Sequence, residues 1–116
     1  MDIAVRTSDG TSIVELNGDI TMRTTPQVRK VLLDQFRDKQ SHRVIVNMSG
    51  VRYIDSAGVA SLVEALRVSR DLKSRFALCG LGKVARQVLE LTRLTKVFEI
   101  HDDEQQALSA EEPSGG

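Results

Sequence analysis

The sequence predicts an α/β domain built on a mixed β-sheet of about five strands with about four helices, in the order β-β-α-β-α-β-α-β-α. Short runs rich in β-branched residues alternate with segments whose apolar residues recur every three or four positions. This alternation is typical of parallel strands joined by helices. The chain has 116 residues, of which 41% are hydrophobic, and this is enough for one compact core.

The first half of the chain predicts a hairpin, a helix and an interior strand. Residues 2–7 and 11–17 carry apolar side chains at nearly every second position, and the turn-forming residues 8–10 separate them. A helix is predicted over 24–39, because two threonines and a proline precede apolar residues at helical spacing. Residues 44–48 form a mostly apolar run, which suits a strand covered on both faces.

A second helix is predicted to begin near Ser56, because apolar residues then recur along one stripe. The stripe comprises Val59, Leu62, Val63 and Leu66, with Arg67, Arg70 and Lys73 toward solvent. Residues 76–79 predict another interior strand, in which Cys79 is buried. Val84, Val88 and Leu91 follow at helical spacing and predict a third helix that ends at about Thr92.

The last part of the chain predicts an edge strand, a short helix and a tail. Residues 94–100 are expected to return to the edge of the sheet. Three acidic residues at 102–104 predict the start of a last helix, since negative charge in the first turn suits the helix dipole. Residues 111–116 have nothing to bury, so we expect a disordered tail after a domain spanning 1–110.

Charge and composition argue against several classes of partner. Sixteen basic and sixteen acidic residues give no net charge, and aromatic residues are scarce, so we expect no nucleic-acid binding. No apolar run is long enough to cross a bilayer and the N-terminus does not resemble a secretion signal, so we expect a cytoplasmic protein without direct membrane insertion. The single cysteine, Cys79, excludes an intramolecular disulfide.

Ser56 lies where an apolar run gives way to the second helix. In the first turn of a helix, backbone N–H groups without an intrahelical acceptor and the positive end of the dipole favour an anion such as phosphate. Ser56 is therefore a candidate switch residue. The same position also suits a serine that only caps the helix. The two interpretations are compatible, and the sequence leaves both open.

The sequence offers little support for an enzyme. The residues around Ser56 lack the first glycine of the Gly-x-Ser-x-Gly nucleophile motif, and nothing in the spacing brings His42 or His101 to it. Asp55 follows a strand-like run, but the early strands end without the acidic pair that a magnesium-dependent phosphoryl acceptor needs. We therefore expect no catalytic activity, no cofactor and no metal site.

An Asp-Ser-x-Gly motif after an apolar run, at residues 55–58, is the most specific local feature of the chain. The motif lies within Tyr53-Ile54-Asp55-Ser56-Ala57-Gly58. Four other stretches are characteristic together with it: Leu16-Asn17-Gly18-Asp19-Ile20, Val44-Ile45-Val46-Asn47-Met48, Leu78-Cys79-Gly80-Leu81 and Val88-Leu89-Glu90-Leu91-Thr92-Arg93-Leu94. On these residues the chain resembles a STAS domain of the bacterial anti-sigma factor antagonist family. The resemblance covers most of the chain and implies a STAS-like mixed sheet over residues 1–110.

The resemblance implies a partner switch centred on Ser56. In the family, the serine of this motif is phosphorylated by an anti-sigma factor with serine kinase activity. The unphosphorylated domain binds that partner, the phosphorylated domain releases it, and a PP2C-type phosphatase resets the switch. We place the docking face at Asp19, Thr21, Met22, Arg23, Asp55, Ser56, Ala57, Gly58 and Val59.

Several residues of this docking face have alternative interpretations. Small side chains at Ala57 and Gly58 would let a partner's backbone approach closely, but at Gly58 tight packing of the helix start on the sheet explains the residue equally well. Met22 suits an adaptable contact on a loop, although filling a gap in the core is the commoner use of methionine. Thr21 stands where family members often carry an acidic residue, which leaves the identity of the kinase open.

The resemblance also implies an alternative function. STAS domains serve as accessory or adaptor subunits, for example of lipid-transport ABC ATPases or stress-signalling assemblies, without a phosphorylation switch. The serine at position 56 favours the switch. The sequence does not determine whether the protein is a monomer or a dimer.

Overall fold

The computed structural model describes residues 1–110, and within them the predicted order of strands and helices is confirmed. The strands are β1 (Asp2–Ser8), β2 (Thr11–Asn17), β3 (Arg43–Gly50), β4 (Arg75–Cys79) and β5 (Glu99–His101). The helices are α1 (Thr25–Arg37), α2 (Ser56–Asp71), α3 (Lys83–Leu91) and α4 (Glu104–Ser109). The predicted tail at 111–116 lies outside the described residues.

The strands form one mixed sheet in the order β1-β2-β3-β4-β5. β1 and β2 are antiparallel, and each later strand is parallel to its neighbour. The hairpin turns at Asp9 and Gly10, whose φ angles of 52° and 78° match the left-handed backbone of a two-residue hairpin turn. The mixed sheet therefore consists of a hairpin followed by three parallel strands, β3, β4 and β5. Each is added beside the previous strand after a crossover helix.

The helices divide unequally between the two faces of the sheet. α1, α2 and α3 cover one face and enclose the main core, to which β3 contributes Val44, Val46 and Met48. The intervening side chains point to the other face, where α4 packs Ala107 on a small cluster formed by Ile13, Ile45, Ala77 and Cys79. Cys79 is buried as predicted, and this burial raises the pKa of its thiol to about 11.

Polar contacts hold α4 at both ends. Glu104, in its first turn, accepts hydrogen bonds from Arg6 at 2.7 Å and from Asn47 at 2.6 Å. At the other end, Arg43 donates to the carbonyl oxygen of Leu108, and Arg75 donates to that of Ala110. The short helix is therefore fixed to the sheet mainly by side chains of β1, β3 and β4.

Two predictions about the last third of the chain need correction. Only Glu99–His101 forms a strand, because residues 94–98 turn, with Val97 N–H and Phe98 N–H donating to the Leu94 carbonyl. The third helix exists, but of the three residues whose spacing predicted it only Val88 packs against the core. Its buried residues are Ala85 and Leu89, and Leu91 is 84% exposed.

An ion-pair cluster joins β4 to the edge strand β5. Arg75 donates two hydrogen bonds to the Glu99 carboxylate, at 2.7 and 2.6 Å, and His101 lies 2.7 Å from the same carboxylate. Burial opposes ionisation of Glu99, but the hydrogen bonds from Arg75 and His101 outweigh it and hold the pKa of Glu99 below its ordinary value. His101 is therefore part of this cluster.

We expect Glu99→Gln to destabilise the protein by about 1–3 kcal/mol near neutral pH, because Arg75 loses its charged acceptor. A carboxylate with a lowered pKa stabilises the fold above its unfolded-state pKa, and this contribution disappears as the pH falls through the folded-state pKa. In urea unfolding, the stability difference between the two proteins should therefore stay constant from about pH 7 to about pH 5 and narrow as the pH falls below the ordinary glutamate pKa of 4.5. Glu90→Gln, at an exposed position, is the control. A difference that stays constant with pH would contradict this account.

Candidate functional site

Two loops meet at the carboxyl edge of the sheet beyond the ends of β2 and β3. Ile20 and Ile54 form an isolated parallel bridge, in which Ile20 N–H donates to the Tyr53 carbonyl at 2.9 Å. Asp55 N–H donates in turn to the Ile20 carbonyl at 3.0 Å. Both isoleucines are fully buried. The bridge therefore fixes the β2–α1 loop against the residues that begin α2.

Asp55, not Ser56, caps α2. Its backbone is extended, and its side chain accepts a hydrogen bond from Gly58 N–H at 2.9 Å. The second carboxylate oxygen accepts from Met22 N–H at 3.0 Å. One carboxylate thus satisfies a first-turn amide and also holds the β2–α1 loop. The interpretation of Ser56 as the cap is wrong, because the preceding aspartate occupies that position and Ser56 is the first helical residue.

Gly58 lies against the bridge between the two loops. A Cβ atom at this position would lie 2.7 Å from the Ile20 carbonyl oxygen and 2.7 Å from Cγ1 of Ile54. Both distances are shorter than van der Waals contact allows. The absence of a side chain at Gly58 therefore serves the packing of α2 on the sheet. Of the two interpretations that the sequence left open, this is tight internal packing rather than close approach of a partner.

Ser56 is exposed, and its hydroxyl makes no hydrogen bond with any residue in the range 1–110. The amides of Ser56 and Ala57 belong to the first helical turn, where backbone N–H groups have no intrahelical acceptor. An accessible hydroxyl therefore lies beside backbone donors and the positive end of a sixteen-residue helix. This arrangement suits an oxygen that gains negative charge.

The other residues of the predicted docking face differ in exposure. Asp19, Met22 and Arg23 are exposed, and Met22 is the most open of them at 74%. Thr21 and Ala57 are half-buried, whereas Gly58 and Val59 are buried. The structure thus brings the β2–α1 loop and the start of α2 together, but only part of the set presents its side chains to solvent. Their contact with a partner remains a prediction.

Sequence reasoning missed the residue that shapes the β2–α1 loop. The hydroxyl of Thr24 accepts a hydrogen bond from Thr21 N–H at 2.9 Å and lies 2.8 Å from the Asp19 carbonyl, to which it donates. Thr24 was predicted to help start α1, but its side chain makes no capping bond to the helix. A threonine just before a proline is a signal for a helix start, and nothing in the sequence indicated the loop contact instead.

A groove between α1 and α2 begins beside the exposed hydroxyl, and its lining was also missed. It is lined by Thr25, Pro26, Arg29, Ala57, Ala60, Ser61 and Glu64. Arg29 closes it by donating two hydrogen bonds to Glu64, at 2.6 and 2.9 Å. These bonds hold the pKa of Glu64 below its ordinary value. Small side chains thus form the floor of a groove whose far wall carries a paired charge.

The surroundings of Ser56 do not activate it as a nucleophile. His101 points to the face of the sheet covered by α4, where it binds Glu99, whereas α2 lies on the opposite face. His42 immediately precedes β3, at the amino-terminal ends of the parallel strands, whereas Ser56 lies beyond their carboxyl ends. Neither histidine is therefore placed to act as a base for Ser56.

Across residues 1–110, no three His, Cys, Asp or Glu side chains are placed to bind one metal ion. No described helix is long and apolar enough to cross a membrane.

Comparisons with known proteins agree on one family. A family model described as the STAS domain matches residues 2–107. The chain is 22% identical to the anti-sigma F factor antagonist of Paenibacillus polymyxa over 100 residues, which cover 86% of each protein. Its structure is similar to that of an anti-sigma factor antagonist from Mycobacterium paratuberculosis, with a TM-score of 0.83 and 24% identity over 93% of this chain and 91% of that one.

A further structural relative has been solved in two states. The anti-sigma factor antagonist SpoIIAA in its unphosphorylated form gives a TM-score of 0.79 at 18% identity, over 92% of this chain and 93% of that one. The phosphorylated form of SpoIIAA from Bacillus gives a TM-score of 0.72 at 18% identity, over 92% and 96%. These likenesses show that the fold is shared.

We expect Gly58→Ala to destabilise the protein by about 1–3 kcal/mol, because the added methyl group forces α2 away from the bridge. Alanine's higher helix propensity, about 1 kcal/mol, offsets only part of this loss. Ala60→Gly, at an exposed position two residues further on, should cost only about 1 kcal/mol through propensity. Urea unfolding of both variants tests the packing. Wild-type stability in Gly58→Ala would contradict it.

We expect Asp55→Asn to be intermediate in stability between wild type and Asp55→Ala, which should lose about 1–2 kcal/mol. An asparagine retains one acceptor oxygen for a single amide, whereas its NH2 group cannot accept from the second. Asp19→Asn is the matched control, because the Asp19 side chain makes no hydrogen bond in the range 1–110. Thermal unfolding gives the order, and equal stability of both Asp55 variants with wild type would refute the bridging role.

Proposed function

Because the chain belongs to the STAS domain family, we propose that it is an anti-sigma factor antagonist that acts by partner switching. Its unphosphorylated form binds an anti-sigma factor with serine kinase activity, and phosphorylation of Ser56 releases that partner. A PP2C-type phosphatase restores the binding form. Relatives named anti-sigma factor antagonists, which align over most of their length, support this proposal.

The observation that carries the proposal is the unbonded, exposed hydroxyl of Ser56 at the start of α2. A kinase can reach this oxygen without opening the core. The kinase provides a base and ATP. The Ser56 oxygen bonds to the terminal phosphorus of ATP as the bond from that phosphorus to ADP breaks, ADP leaves, and the base takes the hydroxyl proton. The phosphatase later hydrolyses the ester. The chain is therefore the substrate in both steps and needs no catalytic group of its own.

The docking surface combines the β2–α1 loop, the first turn of α2 and the groove between α1 and α2. Met22 offers a flexible apolar contact on the loop. Ala57 and Ala60 allow close approach along the floor of the groove. A partner seated on this surface would cover Ser56 and exclude water from it.

Phosphorylation would reverse docking through local charge. A phosphoserine adds about two negative charges at neutral pH. These charges would stand beside the carboxylate of Asp55, so a close-packed partner would face like-charge repulsion and a desolvation cost. Within the domain, the amides of Ser56 and Ala57 and the helix dipole offset part of the added charge. The fold should therefore survive the modification that abolishes binding. The solved phosphorylated form of SpoIIAA supports this expectation.

An adaptor without a phosphorylation switch is the second candidate function. Such a protein could use the same loop and groove, but it would not need a hydroxyl presented at the first turn of α2. The position of Ser56 favours the switch, and the experiment below separates the two functions.

We expect Ser56→Ala to retain the anti-sigma partner constitutively and Ser56→Asp to bind it at least about tenfold more weakly, because a permanent negative charge opposes docking. The measurement is titration calorimetry with the anti-sigma kinase of the same organism, with intact mass spectrometry after addition of ATP. Only wild type should gain a phosphoryl group. Both variants should unfold within about 0.5 kcal/mol of wild type, because Ser56 is exposed and unbonded.

Ser109→Asp is the matched control, since it adds the same charge at an exposed serine on α4, which lies on the opposite face of the sheet. This variant should bind like wild type. Equal binding by Ser56→Ala and Ser56→Asp, with no phosphorylation of wild type, would refute the switch and leave the adaptor.

A further inference from the structure

We propose that the outer edge of β1 pairs with β1 of a second copy of this chain, forming a two-fold symmetric dimer with one continuous ten-stranded sheet. The proposal concerns a surface separate from the Ser56 site and does not depend on the function proposed above. It rests on the regularity of the edge, the direction of its hydrogen-bonding groups and the complementarity of its side chains.

β1 is an edge strand without the features that usually block pairing. All seven residues, Asp2–Ser8, pair with β2 in an unbroken register, with no bulge and no proline. On the outer side, no backbone group of these residues bonds to another backbone group in the range 1–110. Long, regular edges of this kind are templates for another strand.

The hairpin geometry shows which backbone groups face outward. In a two-residue hairpin, the residues flanking the turn, here Ser8 and Thr11, form a hydrogen-bonded pair. Hydrogen-bonded and non-hydrogen-bonded pairs then alternate along the strands. Ile3, Val5 and Thr7 are therefore the residues whose N–H and C=O groups point away from β2. An added strand must pair with these three.

The side chains of β1 are self-complementary in one antiparallel register. When two copies pair about Ala4, each Ile3 stands opposite the partner's Val5, and each Asp2 stands opposite the partner's Arg6. Ile3 and Val5 lie on the α1 side of the sheet, and Val5 is 42% exposed in the single chain. The pairing would form two such apolar contacts on one face of the sheet, one on each side of the two-fold axis.

The charges at this edge are available for the same pairing. The side chain of Asp2 is exposed and makes no hydrogen bond or ion pair in the range 1–110. Arg6 uses only its Nη2 atom for Glu104 and Glu15, which leaves Nε and Nη1 without a partner among the described residues. Both Asp2 and Arg6 lie on the α4 side of the strand, so they would meet directly across the interface.

This dimer would keep both Ser56 sites accessible. Antiparallel pairing of the two edges turns the sheets by half a rotation about an axis perpendicular to them. The carboxyl edges of the two sheets, and with them the two Ser56 hydroxyls, then face in opposite directions. One dimer could hold two partner proteins without contact between them.

The test is sedimentation equilibrium of the whole chain from micromolar to millimolar concentration, with two matched lysine variants. Wild type should approach twice the chain mass of 12.8 kDa. Val5→Lys should raise the dimer dissociation constant about tenfold or more, because lysine on an edge strand opposes pairing. Val84→Lys is the control, since Val84 is equally exposed, at 42%, but lies on α3. It should dimerise like wild type.

Hydrogen exchange tests the register and does not depend on the folding of a variant. As concentration rises, the amides of Ile3 and Val5 should become protected, whereas those of Ala4 and Arg6, already bonded within the hairpin, should not change. Asp2→Arg, which places an arginine opposite the partner's Arg6, should also weaken the dimer. A wild-type chain that stays at 12.8 kDa at every concentration would overturn the proposal. So would a dimer in which the amides of Ile3 and Val5 exchange at the monomer rate.

Discussion

The close packing of the first turn of α2 against the Ile20–Ile54 bridge is the constraint on which the site depends. No Cβ fits at Gly58, so the backbone of the helix lies directly on the bridge. Asp55 fixes the same turn from the other side by accepting from Gly58 and Met22. Helical residues are about 100° apart, so a helix that turns Gly58 inward turns Ser56, two residues earlier, well away from the core. The exposure of the hydroxyl is a consequence of internal packing.

This arrangement separates the groups that hold the fold from the group that is modified. Asp55 carries the structural hydrogen bonds, whereas the neighbouring Ser56 has none among the described residues. Chemical change at Ser56 therefore need not disturb the helix start. Its effect should fall on whatever lies against the surface, which is the property that a reversible docking switch requires.

The two faces of the sheet have different physical character. The face covered by α1, α2 and α3 contains the main apolar core and carries Ser56 at its carboxyl edge. The other face has a small apolar cluster, and α4 is held over it by Arg6, Asn47, Arg43 and Arg75. Beyond β1 no element within residues 1–110 covers the edge of the sheet, which leaves Val5 and the outward backbone groups exposed.

The sequence by itself determined the order of strands and helices, the mixed sheet and the position of α2, because hydrophobic periodicity and turn residues are local properties. It also located the Asp-Ser-x-Gly motif and most of the loop that lies beside it. Periodicity found only Val88 on the core-facing side of α3, because Ala85 is small and the more apolar Val84 and Leu91 follow the same helical spacing on the solvent side.

Only the tertiary structure decided how the site is built. The contact between Asp55 and Met22 spans 33 residues, and the fit of Gly58 depends on Ile20 from another loop, so neither has a local sequence signal. Asp55 rather than Ser56 caps α2 because the helix begins at Ser56, a boundary that residue patterns locate only to within one or two residues. Likewise His101 entered the Arg75–Glu99 cluster because the sheet brings β4 beside β5. Contacts between segments far apart in the chain depend on the packed arrangement, which residue patterns alone do not specify.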